Sequence, residues 1–348
     1  MMFFRSKAQQ VPAMTLEGVL GPNSRLDEAG GLSVTTPEAL CVAGDGQLLI
    51  SSGKAVLALR AWGEEPALWK SFDHPVTALC GSPTGLVAVG LVDGTVSVFD
   101  QDAQPSSGWK GPFKLGTVTD CAFLSETELT LVDSGYPPNE NVLSVAPWES
   151  TPNGKVLAVS ASGEVRTVIS GLHCPMGVSC DAKGDILVAE LERACIVDAA
   201  GRPRQSGYPA YLGRLRKTRS GYVMSCLARR DPLIEFLKSE HDFVAEMKAN
   251  IPPQNWISPR VSPAFSHDFP IELGATRLFG DIKPWAPSFS YGLVIELDDN
   301  LMPVRSAHSR ANGRRHAITD ALSWNGDMIA ISKASGEILN LGPEGAVS

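Results

Sequence analysis

Four stretches of this chain read alike: GQLLISSGKAVLAL (46–59), GLVAVGLVDGTVSVFD (85–100), GDILVAELERACIVD (184–198) and GDMIAISKASGEILNL (326–341). Each opens on a turn glycine, runs out as a short strand, turns at a polar or glycine-bearing step and runs back as a second strand. GKVLAVSASGEVRTVI (154–169) resembles them, and the short strands ALCVA, VTALCG, MGVSCD and ITDALSW precede the four. Residues alternate with period two, and β-branched and aromatic residues concentrate in these runs. A strand–turn–strand–turn–strand unit recurring roughly every 40–50 residues is the signature of propeller blades.

Six such units fit the chain, at about 37–65, 75–102, 116–169, 172–203, 207–306 and 316–342. The expected fold is all-β: a six-bladed β-propeller spanning 14–348 after a tail of residues 1–13, with one helical and loop insertion (228–291) over a rim. The spare strand MTLEGVL (14–20) would close the ring beside the last blade and remove an exposed sheet edge. Helical periodicity is clear only in DPLIEFLKSEHDFVAEMKAN (231–250), where Leu233, Phe236, Leu237, Val244 and Met247 suggest one apolar face. Asp231 is placed to cap it, with Pro232 at the first helical position. With Trp256, Trp285 and Phe289, the insertion is expected to act as a lid over the channel mouth.

At 348 residues, with 43% hydrophobic and 20% charged residues, the composition is that of an ordinary globular protein. A net charge of −8 disfavours a nucleic-acid partner, which needs a basic stripe. No apolar run is long enough for a signal peptide or a membrane span, so a cytoplasmic location is expected. The seven cysteines form no CxxC pair and read as reduced core thiols. No G-x-S-x-G, H-E-x-x-H or P-loop signature is present, SHDF (266–269) reads as a solvated loop, and no cofactor or metal is expected. The oligomeric state stays open.

An ordered set of segments carries a resemblance. TPEALCV, VTDCAF…TLVDSG, GLHCPMGVSCDAKGDILVAEL, GYPAYLGRLRKTRSGYVMS, the DPLIEFL insertion and YGLVIELDDN…HAITDALSWNGDMIAIS together resemble the strictosidine synthase-like six-bladed propellers over most of residues 37–342. The wider superfamily includes calcium-dependent lactonases, gluconolactonases and paraoxonase-type esterases. The resemblance implies a set of oxygen ligands entering the central channel from the first strands of several blades. Of that set Glu38 is kept, while Thr119, Met176 and Ala210 replace two asparagines and an aspartate, with Tyr211 following. Calcium takes six to eight hard oxygens, and a thioether and a methyl supply none. Strictosidine synthase itself works without this metal and uses a channel glutamate whose place here falls on Thr319. Thr319 is no general base near neutral pH. If Thr319 faces the channel, strand alternation aims Asp320 away from it.

The remaining candidates follow from position. Glu38 in the channel is the candidate catalytic carboxylate, with a raised pKa unless it is paired. Thr119, Met176, Tyr211 and Thr319 would contact a ligand. Glu190 is either an exposed strand end or a channel-mouth residue, and His316 and His173 border the mouth. The expected function is a metal-independent, strictosidine synthase-like enzyme or binder of a neutral or cationic organic ligand in the channel, amines included. The alternatives are a calcium-dependent lactonase-type hydrolase and a non-catalytic interaction propeller.

Overall fold

In the computed structural model, the described residues are 15–138, 140–149, 151–181, 183–261, 277–278, 281–282 and 290–345. They form six four-stranded antiparallel sheets arranged as the blades of a β-propeller. The innermost strands are Leu40–Val42, Val76–Gly81, Asp120–Ser125, Pro175–Cys180, Ala210–Lys217 and Ile318–Trp324, and each contacts the next in cyclic order round to the first. The last blade is completed by Gly30–Ser33, which pairs with Glu337–Asn340.

Ring closure therefore uses 30–33, not 14–20. Gly18–Leu20 is instead a single 3₁₀ turn lying on blade five, where the Ser306 hydroxyl donates to the Val19 carbonyl at 2.7 Å. GGLS has neither a hydrophobic run nor alternation, because an outermost strand packs little on either face.

Period two explains the core. Successive side chains of a strand point to opposite faces, and in a propeller both faces meet a neighbouring blade. Leu48 and Ile50 pack with Trp324 and Ile331 of blade six, while Leu49 between them packs with Leu79 and Val89 of blade two. Analogous clusters fill the other inter-blade seams, so apolar runs such as LLI need no polar side.

Two excursions leave the ring. Blade three extends between Asp133 and Gly154 and carries a helix at Val142–Val145 and a 3₁₀ turn at Ala146–Trp148. Blade five extends after Arg229 into helices Pro232–Ser239 and His241–Asn250. Asp231 caps the first of these as expected, accepting the Leu233 amide. The expected single helix breaks at Glu240, and Phe236 faces solvent instead of joining the apolar side. The excursions pack together through Val145, Trp148, Ile234, Met247, Trp256 and Ile257, and the Trp148 indole donates to the Ile257 carbonyl at 2.9 Å.

Candidate functional site at the channel

The innermost strand of blade five positions the centre of the molecule. Its pairing with Tyr222–Arg229 shifts register between Leu212 and Leu215, where Gly213 lets the backbone bulge. Leu212 and Leu215 stay in the seam with blade four, and Arg214 and Arg216 turn to the axis. The Arg214 guanidinium donates to the carbonyls of Glu38 at 2.7 Å and Thr319 at 2.8 Å through Nη1, and to those of Thr77 at 2.6 Å and Thr119 at 2.8 Å through Nη2. These four acceptors belong to blades one, six, two and three.

One layer along the axis, Arg216 meets both oxygens of Asp120 at 2.7 and 2.8 Å and Asp320 at 3.0 Å. Asp120 also accepts the Val178 amide, and Asp320 accepts the Leu40 amide, each at 2.9 Å. Both carboxylates are fully buried. Burial opposes charge on Arg216, but the two aspartates outweigh it and hold its pKa well above the ordinary value. Asp320 therefore reaches the axial network, contrary to the alternation argument. The register shift between Ile318 and Ala321 breaks the period, and Thr319 contributes its carbonyl instead.

This layer separates two cavities. One, of about 400 Å³, is lined by Glu38, Thr77, Thr119, Met176, Arg214 and Lys333 and walled by Pro75, Val92, Pro137, Pro138 and Val142. Glu38, Thr119 and Met176 thus converge, as expected. Ala210 does not; it lies in the seam between blades four and five. The Glu38 carboxylate is 2.5 Å from Lys333 Nζ and 3.8 Å from Arg214. Burial pushes its pKa up, but Lys333 and then Arg214 more than compensate and hold it below the ordinary carboxylate value. Glu38 is paired and held ionised, the exception under which no raised pKa was expected.

The other cavity, about 450 Å³, opens at the far mouth and is lined by Cys41, Cys80, Cys121, Cys180, Phe123 and Arg216. Burial pushes the Cys41 and Cys80 thiols upward and keeps them protonated.

Several expected contact residues sit elsewhere. Tyr211 is fully buried against the blade-five excursion, its hydroxyl donating to Glu235 at 3.2 Å with the Arg230 guanidinium over its ring. Glu190 is neither exposed nor at a mouth; it is buried and accepts the His173 amide at 2.6 Å and the Cys195 thiol at 3.2 Å. His316 is fully buried, with Nδ1 2.8 Å from the Gly313 carbonyl. His173 is half-buried, and burial and then Arg193 lower its pKa. Thr319 Oγ1 is buried, and Thr319 is not part of the cavity lining. Among the described residues of the 228–291 insertion none lines the first cavity, and Trp256 is a core residue there. Trp285, Phe289 and SHDF lie outside the described residues. Among the described residues, the blade-three excursion supplies part of the cavity wall through Pro137, Pro138 and Val142.

The calcium set implied by the resemblance does not fit these residues. Arg214 already takes four carbonyls at the axis, and Met176 and Ala210 offer no hard donor. Among the described residues no group of three or more His, Cys, Asp or Glu is arranged to hold a metal ion.

Fold and hub together define a six-bladed β-propeller whose axis is closed by a buried arginine–aspartate network. No family model and no curated protein matches the chain. Among solved structures it is similar to a candidate gluconolactonase (14% identity, 57% of this chain and 76% of that one, TM-score 0.44). It is also similar to a chain of a nidogen–laminin complex (13% identity, 55% of this chain and 72% of that one, TM-score 0.41).

Proposed function

We propose that the chain is a metal-independent small-molecule binder of strictosidine synthase-like type, taking an organic amine in the cavity beside Glu38. The observation that carries this is the hydrogen-bond polarity of the lining. The hydroxyls of Thr77, Thr117 and Thr119 donate to the carbonyls of Gly90, Tyr136 and Val132, so what they offer a ligand is lone pairs. Glu38 and Glu140 add carboxylates to the same lining, and Arg214 spends both terminal nitrogens on carbonyls. A cavity rich in acceptors favours a ligand rich in N–H donors, and the proline and valine walls favour an apolar body. Lys333, 43% exposed, is placed as the resident cation that an incoming amine displaces from Glu38 into solvent.

Glu38 in this reading is a counter-ion. Ionised by its partners at neutral pH, it is no acid there, and the reading contains no bond-making step. Phenethylamine titrated calorimetrically is the test. Glu38→Gln should weaken binding about tenfold, the worth of one charge-assisted hydrogen bond. Lys333→Met should strengthen it, because Glu38 then keeps only the more distant Arg214 at 3.8 Å. Equal affinity in wild type and Glu38→Gln would remove Glu38 from the site.

A further inference from the structure

We infer that the ligand of the cavity beside Glu38 is an aliphatic diamine, with one amino group held by Glu38 and the other by Glu140. The inference rests on the amine reading above and adds a second charge and its place. Glu140 comes from the blade-three excursion, where its amide donates to the Pro137 carbonyl at 3.0 Å and closes a turn. Pro138 stands at the turn position whose backbone angle proline presets, so the loop carrying Glu140 is stiff before any ligand arrives. Glu140 lines the cavity, and among the described residues no cation or hydrogen-bond donor takes its carboxylate. Glu38, by contrast, already holds Lys333.

The two carboxylates enter from blades one and three, and blade two lies between them. Blade two offers the cavity Pro75, Val76, Thr77 and Val92, an apolar wall with one hydroxyl whose proton goes to the Gly90 carbonyl. A methylene chain suits that wall, and an amino group at each end suits the carboxylates that bound it. Charge gives the same count. Arg214 belongs to the axial layer, where it and Arg216 are balanced by Asp120 and Asp320. Once Lys333 swings into solvent, the described lining presents two negative charges that nothing else in it balances. A monoamine leaves one of them unmatched; a diamine matches both.

The test is calorimetric titration of the full chain with tetramethylene-, pentamethylene- and hexamethylenediamine, each beside the monoamine of the same length. At one length or more the diamine should bind roughly five- to tenfold tighter, the worth of one partly screened charge-assisted hydrogen bond. Glu140→Gln should bring that ratio down to the statistical gain of having two equivalent ends. Glu140→Lys should invert it, because a cation then stands where the second amino group goes. Asp299→Asn removes the same charge from the surface, away from the cavity, and should keep the wild-type ratio. A diamine no tighter than its monoamine at every length would overturn the inference and leave the amine reading standing. A ratio that survives Glu140→Gln, or that Asp299→Asn lowers equally, would overturn it too. If neither class binds, the amine reading fails and this inference with it.

Discussion

Asp120→Ala should unfold in urea with about 3–5 kcal/mol less stability than the parent, the cost of stranding a buried charge. Asp120 is fully buried and holds both terminal nitrogens of Arg216, the Val178 amide and the near side of Arg214. Removing it leaves two guanidiniums sharing Asp320. The natural control is Asp299, 74% exposed and paired with Lys217 on the surface. Asp299→Ala should cost under about 1 kcal/mol, because solvent screens such pairs. Urea midpoints at neutral pH decide it; equal small losses in both variants would mean that the hub is not a stability centre.

The second large effect is at Gly177, in the stretch CPMGV. A Cβ there would lie 2.7 Å from the Arg214 Cα and 2.8 Å from both the Gly213 carbonyl oxygen and the Leu215 amide nitrogen. All three are backbone atoms, so no side-chain rotation relieves the clash. Blade five's inner strand must move, and Arg214 moves with it. Gly177→Ala should cost about 1–3 kcal/mol, the usual range for overpacking, and Gly177→Val more. Parent-like urea midpoints for both would mean that the blade four–blade five contact is looser than the geometry states.

Both positions show what the sequence made legible. The blades were readable because their seams need apolar residues on alternating faces, and turn glycines mark the period. The closing strand was not, since Gly30–Ser33 buries almost nothing and so leaves no pattern. In the site, Glu38, Thr119 and Met176 could be placed because each lies at or just before the start of an inner strand, although a register shift falls at Met176 itself. Tyr211, Thr319 and Asp320 were misplaced because blades five and six shift register beside them, and a slip of one residue exchanges the faces of a strand, whereas Ala210 lies ahead of the shift and was placed by the resemblance alone. Arg214 and Arg216 carried a usable signal: two arginines at period two in LGRLRK, inside a strand whose leucines are core. Such a pair can lie only on the surface or on the axis. Lys333 gave no signal, because its meeting with Glu38 joins opposite ends of the chain.

The central claim is that the cavity beside Glu38 takes an amine without a metal. Ligand-observed NMR on the wild-type chain tests it with a panel of arylalkylamines, their N-acetyl derivatives and the matching carboxylic acids. Each probe is run with EDTA and then with calcium. The account predicts binding by the amines, little by the other two classes, and the same result in both buffers. Binding led by the acids, or appearing only with calcium, would contradict it.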